Sequence, residues 1–181
     1  MSKIVIALGG NALGNSANEQ LTKAELAAKS IADLITAGHH VVIAHGNGPQ
    51  VGKIRLAFEE TSQKPEDTMP FPECTAMSQG YIGYHLQQAI DEELVSRGLT
   101  DIPVVSMLTQ VVVDPKDPAF SNPTKPIGGY YSEEEAKKLM AETGDVYVED
   151  AGRGWRRVVP SPKPVDIYEK ISLQTLSLIH I

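Results

Sequence analysis

The chain has 181 residues, of which 41% are hydrophobic and 22% charged, the proportions of one folded domain rather than of a disordered or fibrous protein. Its formal net charge of -7 opposes contact with a polyphosphate backbone, so we expect no nucleic-acid partner. A single cysteine excludes an internal disulfide, and neither a secretory leader nor an apolar stretch of roughly 18 residues is visible, so we expect a cytoplasmic protein without a membrane span.

A short apolar run opens the chain and ends in glycine. Residues 3–8 read KIVIAL, which is typical of a strand buried on both faces of a parallel sheet. Gly9, Gly10 and Asn11 follow, and glycines there let the backbone approach a ligand while the next helix start offers N–H donors to an anion. The spacing fits neither the dinucleotide fingerprint nor the P-loop, so an ordinary tight turn remains the alternative.

The same arrangement recurs after a predicted helix over residues 21–37. A second apolar strand is predicted at 41–44, and the loop after it contains Gly46, Asn47 and Gly48. This loop either presents converging N–H donors or is a plain turn with Pro49 in the first turn of the next helix. Because both loops would leave the same edge of a parallel sheet, together they predict a cradle for an oxyanion or carboxylate.

The middle of the chain predicts two helices and two strands. A helix reaches about residue 60, a long helix covers 73–97, and strands are expected at 102–108 and 111–113. Gly80 and Gly83 in the long helix let another backbone come close.

A proline-rich stretch over 114–129 is predicted to be a surface connection that carries Lys125. Because Lys125 lies between Pro123 and Pro126, its ammonium is restrained and is suited to neutralise a transferring phosphoryl group. Surface lysines are usually solvated, so the residues alone leave both interpretations open.

The last third predicts a small protruding subdomain over 125–165. Ser132 and Glu135 form a capping-box pattern, and 146–149 with 155–159 predict a hairpin. Three arginines beside Trp155 would either contact an anion or form the exposed face of that hairpin; they are Arg153, Arg156 and Arg157.

The end of the chain is apolar and lacks a cap. A last helix is predicted from near Val165, and the final residues read LSLIHI. We therefore expect a truncated protein with four parts: an α/β domain at 1–124, the subdomain at 125–165, the start of a connecting helix at 166–175 and a non-native tail at 176–181. The alternative is a natural short protein whose tail packs into its core.

Five blocks in order resemble the N-terminal half of the carbamate kinases, a branch of the amino-acid kinase superfamily. The blocks are KIVIALGGNALG at 3–14, HGNGPQVG at 45–52, AMSQGYIGY at 76–84, QVVVDPKDPAFSNPTKPIG at 110–128 and EDAGRGWRRVVPSPKPVDI at 149–167.

The resemblance implies reversible phosphoryl transfer between ATP and carbamate, with Mg²⁺, in arginine fermentation. It implies an incomplete three-layer α/β/α sandwich with a protruding subdomain, and a homodimer formed through helix 73–97. By the same resemblance carbamate or carbamoyl phosphate is bound by the residues of both loops, which are Gly9, Gly10, Asn11, Gly46, Asn47 and Gly48, and Lys125 is catalytic.

One position separates this chain from other members of the superfamily. Relatives such as acetylglutamate kinase carry a lysine two residues before the glycine pair, where this chain has Ala7. A cation must then come from elsewhere, which favours Lys125. Most of the nucleotide site is expected in the missing half, so the fragment itself should be inactive. No metal ligands are predicted. Two alternatives to the carbamate kinase function remain: another amino-acid kinase with a different acid substrate, or a non-catalytic anion-binding module.

Overall fold

The computed structural model describes residues 2–9, 13–14, 16–62, 64 and 67–178. The chain divides into two compact units, the first formed by residues 1–50 and 68–108 and the second by 51–67 and 109–181. Helices and parallel strands together confirm the α/β class. None of the described helices is long and apolar enough to cross a membrane.

The first unit begins with two parallel strands joined by a helix. Strand β1 (Lys3–Leu8) pairs with β2 (His40–His45), and α1 (Ala17–Thr36) connects them. Ser16 caps α1 by accepting the backbone N–H of Glu19 at 3.2 Å. The parallel arrangement predicted from the two apolar runs is confirmed.

The expectation that β1 is buried on both faces is wrong for the described part of the chain. Ile6 and Leu8 pack against the hydrophobic core, whereas Val5 is 71% exposed and Val42 on β2 is 46% exposed. Alternate side chains of a strand point to opposite faces, and the described helices cover only one of them.

The core of this unit is formed where α1 packs against α3 (Phe71–Ser96). Every fourth residue of one α3 face is buried, because positions four apart lie on the same side of a helix. Small residues of α1 bring the two helices close. The buried apolar side chains of this cluster are Ala24, Ala28, Ile31 and Ala32 on α1 and Ile82, Leu86, Ala89, Ile90 and Leu94 on α3.

The strand predicted at 102–108 is wrong, because this segment pairs with no described strand and has no regular secondary structure. Ile102 and Val104 nevertheless pack against the core. The Ser106 hydroxyl donates to the Gly83 carbonyl at 3.0 Å. A Cβ on Gly83 would lie 2.9 Å from the Ser106 Oγ atom. Close approach is therefore needed at Gly83, whereas a Cβ on Gly80 would meet nothing within 4 Å.

The second unit contains a three-stranded antiparallel sheet in the order β4–β6–β5. Its predicted hairpin and capping box are both confirmed, since the Ser132 and Glu135 side chains each bind the other's backbone N–H. The elements are β4 (Lys125–Tyr131), α4 (Glu133–Thr143), β5 (Val146–Glu149) and β6 (Trp155–Val159). Helix α2 (Gly48–Thr61) belongs to this unit from Val51 onward.

The final helix begins later than predicted. β7 (Pro164–Ile167) pairs antiparallel with β3 (Val111–Val113), and α5 (Lys170–Leu178) follows. Residues near Val165 are therefore strand, because a partner about fifty residues earlier in the chain supplies the ladder. Of the predicted tail 176–181, residues 176–178 continue α5 and 179–181 lie outside the described residues.

Candidate functional site

The two glycine loops leave the same edge of the β1–β2 pair. Leu8 lies opposite His45 in the last pair of the parallel register. The backbone N–H of Gly46 then donates to the Leu8 carbonyl at 2.8 Å, so Gly9 and Gly46 begin the two loops side by side. Gly10 and Asn11, also predicted to bind substrate, lie outside the described residues.

The second loop runs directly into α2, whose first residue is Gly48 and second is Pro49. The first N–H groups of a helix have no partner within it and carry a partial positive charge. Because the first turn of α2 contains no acidic residue, no carboxylate of that turn competes for these donors. The N-terminal end of α2 can therefore hold a small anion at the edge where the loops leave the sheet.

The Asn47 side chain is anchored on α3. Its Nδ2 donates to Ser78 Oγ at 2.8 Å, and that hydroxyl donates to the Thr75 carbonyl at 2.6 Å. Ser78 is fully buried. The Asn47 amide thus fixes the loop through a residue that the sequence analysis missed. A usable signal was present, since Ser78 is the polar member of the buried series Cys74, Ser78, Ile82 with a spacing of four.

A buried amide network lies beside the first loop, and the sequence analysis assigned no role to its members. Gln50, in the first turn of α2, donates from Nε2 to the Gly14 carbonyl at 3.1 Å and to Gln20 Oε1 at 3.0 Å. Gln20 Nε2 in turn lies 3.1 Å from His85 Nδ1 on α3. Burial lowers the pKa of His85 below its ordinary value, which favours the neutral ring.

Lys125 lies in the second unit and is not on a loop. It is the first residue of β4, lies opposite Val159 of β6, and is exposed. The strand forms in spite of the prolines because Ile127, two residues on, is buried and lies opposite Arg157 in the ladder. Its catalytic role, like the binding roles of the glycine-loop residues, remains a prediction.

The strand that carries Lys125 is held tightly against α2. A Cβ on Gly52 would lie 2.2 Å from the backbone nitrogen of Gly128 and 2.3 Å from its Cα, so the two backbones touch. Gly128 has a φ of +71°, a conformation that favours glycine. Arg156 Nη2 also donates to the Gly128 carbonyl at 3.0 Å. Glycine is therefore required at Gly52 by packing and at Gly128 by its backbone conformation.

The three arginines beside Trp155 are paired with carboxylates, so their alternative role as an anion contact is not supported. Arg157 contacts Glu59 and Asp145, each at 2.8 Å, and only 19% of its side chain is exposed. Arg153 and Arg156 both pair with Asp150, at 2.8 and 3.2 Å. The idea of an exposed hairpin face is wrong for Arg156 and Arg157, because their partners draw them into the unit.

These pairs change the acidity of the carboxyl groups. Burial acts to raise the pKa of Glu59, but hydrogen bonds from Arg157 and Arg55 outweigh it and hold that pKa below the ordinary value. The hydrogen bond from Arg153, followed by that from Arg156, lowers the pKa of Asp150.

Among the described residues there is no group of three or more histidine, cysteine or acidic side chains that fits a metal ion.

Comparison with known proteins identifies a consistent set of relatives. The amino acid kinase family model matches residues 2–143. A carbamate kinase of Staphylococcus epidermidis is 55% identical over 177 residues, which are 97% of this chain and 57% of that protein. A carbamate kinase-like protein of Escherichia coli is 53% identical, covering 96% of this chain and 56% of its own length.

Solved structures give the same picture. Carbamate kinase from Giardia lamblia bound to citric acid superposes with a TM-score of 0.90 at 45% identity, over 99% of this chain and 59% of that one. The same Giardia enzyme bound to AMP-PNP gives a TM-score of 0.79 over 99% and 58% of the two chains. The chain thus spans a little more than half the length of the relatives it matches.

Proposed function

Because this chain belongs to the amino acid kinase family, we propose that it forms the carbamate- and phosphoryl-binding part of a carbamate kinase. The reaction is the reversible transfer of a phosphoryl group between carbamoyl phosphate and ADP, giving carbamate and ATP, as in arginine fermentation. The observation that carries the proposal is the hydrogen bond from Gly46 to Leu8, which brings both glycine loops to one sheet edge. The choice of carbamate as the substrate rests on the similarity to a carbamate kinase that is 55% identical to this chain.

In this proposal the chain acts by positioning and by charge. Backbone N–H groups of Gly46, Asn47 and Gly48, together with Gly9, Gly10 and Asn11 of the first loop, hold the carbamoyl phosphate and stabilise charge on the transferring group. Lys125 adds the positive charge that other members of the superfamily obtain from a lysine at the position of Ala7.

The nucleotide is proposed to bind mainly to the part of the protein that this chain does not span. A Giardia relative binds AMP-PNP, and the chain covers 58% of that structure. Mg²⁺ accompanies nucleotides in phosphoryl transfer, but the described residues contain no cluster that fits it. No step is therefore assigned to the metal on this chain.

We propose a homodimer through α3, within the predicted helix 73–97. Tyr84 is 64% exposed and Met77 is 40% exposed, and Gly80 near them leaves open space. Aromatic and methionine side chains are enriched at such interfaces. Gly83 and Tyr81, by contrast, pack within the first unit, so the proposed dimer face is only part of helix 73–97.

We also propose a cytoplasmic location. Cys74 is a buried thiol, which suits a reducing compartment.

The test is to complete the chain to the length of its relatives and measure ATP formation from ADP and carbamoyl phosphate. Acetyl phosphate and N-acetylglutamyl phosphate serve as competing substrates. We expect the completed protein to prefer carbamoyl phosphate and residues 1–181 alone to show no turnover. Preference for another acyl phosphate would assign a different amino acid kinase activity, and binding without any turnover would favour a non-catalytic module.

A further inference from the structure

Gln50 is oriented by a partner that can only accept. The Gly14 backbone carbonyl has no proton to donate, so the amide group that faces it at 3.1 Å must be the Nε2 of Gln50. The same Nε2 lies 3.0 Å from the Gln20 side chain, which must present Oε1. Both protons of the Gln50 amide are therefore used.

The orientation continues to α3. With Gln20 Oε1 turned toward Gln50, Gln20 Nε2 faces His85 Nδ1 at 3.1 Å and donates to it. The His85 ring is then a neutral acceptor at Nδ1, in agreement with the lowering of its pKa by partial burial. Donation thus runs outward from Gln50 in two directions, directly to the Gly14 carbonyl and through Gln20 to His85.

The Gln50 amide also has an unpartnered oxygen. Gln50 is 6% exposed and Gln20 is 1% exposed, and Gln50 Oε1 has no hydrogen-bond partner among the described residues. A buried acceptor without a partner reduces stability, and a native protein tolerates it where the residue serves another purpose. What Gln50 supplies to its surroundings is its pair of donors.

These donors restrain one end of the first glycine loop, and Gly46 restrains the other. The Gly46 N–H holds Leu8 at the start of the loop at 2.8 Å, and Gln50 holds Gly14 at its end. Gly14 has a φ of +79°, and a Cβ there would lie 2.8 Å from Glu19 Cγ, so its conformation is tightly defined. Both restraints come from the second loop and the helix turn that follows it.

We propose that Gln50 is a positioning residue that fixes Gly14, at the end of the first glycine loop, relative to the second loop, so that carbamoyl phosphate meets the two loops at a fixed spacing. The inference rests on the proposed function of these loops. It assigns Gln50 a role in geometry, with no contact to the reacting atoms. Loss of its donors should release Gly14 while leaving nucleotide binding unchanged.

The test uses the completed protein with Gln50→Met, which keeps the side-chain length, and Gln50→Glu, which keeps the shape but lacks the amide donors. We expect the KM for carbamoyl phosphate to rise about tenfold, a change worth ~1.4 kcal/mol, with the KM for ADP nearly unchanged. Amide hydrogen exchange at Leu13 and Gly14 should become faster. His85→Phe is the matched control, because it breaks the hydrogen bond from Gln20 to His85 and should lower Tm without either effect.

The outcomes separate this inference from the proposed function. Unchanged exchange at Gly14 in both Gln50 variants, or an equal rise in KM in His85→Phe, would overturn the positioning role. If the wild-type protein does not use carbamoyl phosphate, the proposed function fails, and the exchange measurement alone still decides whether Gln50 fixes the loop. If Gln50→Met does not fold, Gln50→Glu gives the same comparison.

Discussion

The first unit has an apolar helix–helix core, whereas the second combines a smaller set of buried apolar side chains with several ion pairs around its sheet. In the first unit Ile82 and Leu86 belong to the buried hydrophobic cluster, and the buried polar side chains of the described residues are all uncharged; they are Gln20, Gln50 and Ser78. In the second unit Arg157 and Glu59 form a half-buried pair. The glycine loops thus start from the unit whose buried polar side chains are uncharged, which suits a site that must keep its geometry when an anion binds.

This difference can be measured because the two units carry different probes. Trp155, the one tryptophan of the sequence, lies on β6 in the second unit. The long helices α1 and α3 belong to the first unit and dominate the helical circular dichroism. Unfolding followed by both signals therefore reports on each unit separately.

The largest effect is expected from a cavity in the first unit. Ile82→Ala removes a fully buried side chain from the centre of the α1–α3 packing and should cost about 2–5 kcal/mol. Denaturation followed by circular dichroism measures the loss, and Val95→Ala on the exposed face of α3 is the control. If the Trp155 transition moved as much as the helical signal, the two units would unfold together and the comparison would be broken.

The next largest effect is expected where α2 contacts β4. Gly52→Ala places a Cβ against the backbone of Gly128, which cannot give way as a side chain can, and should cost about 3 kcal/mol. The matched control is Gly80→Ala, a helical glycine with open space, which should stabilise the protein by about 0.5–1 kcal/mol. Equal effects of the two substitutions on Tm would contradict the close approach of the Gly52 and Gly128 backbones.

Lys125→Ala should separate catalysis from stability. An exposed lysine at the start of β4 contributes little packing, so the Trp155 unfolding transition should not move. In the completed protein, turnover should fall by an amount equivalent to about 1–3 kcal/mol of transition-state stabilisation. Lys116→Ala, at another exposed lysine of the same unit, is the control. Wild-type turnover in Lys125→Ala would refute the catalytic role.

The smallest effect is the acid sensitivity of the second unit. The pKa of Glu59 is below its ordinary value of 4.5, so the stability from this carboxylate is present above pH 4.5 and is lost as the pH falls through the lowered pKa. The loss should be on the order of 1 kcal/mol, since the pair is only partly buried. Glu59→Gln should flatten the pH dependence of the Trp155 transition in this range. An unchanged slope would mean that the Arg157 pair contributes nothing to the acid response.

Local signals in the sequence predicted local structure well. The capping box at Ser132 and the hairpin ending at Val159 depend on neighbouring residues, and both are present. The strand β7 was missed because its partner, Val111–Val113, is distant in the chain. Lys125 was expected on a loop for the same reason, since the ladder with Val159 is not visible in its own flanking prolines.

The candidate site follows the same division. The side-by-side position of Gly9 and Gly46 could be inferred from two apolar parallel strands. The residues that hold those loops were not found, because Ser78 lies on α3 and Gln50 lies 36 positions from Gly14, so both contacts exist only in the folded chain. Alternation and glycine spacing predict where a site forms, and the buried polar residues that fix it depend on tertiary packing.

The most direct test is amide hydrogen exchange of the completed protein with and without carbamoyl phosphate. If the two loops form one cradle, the ligand should slow exchange together at Leu13–Gly14 and at Gly46–Gly48, and ADP alone should not. Protection of only one of the two segments, or of neither, would contradict the account.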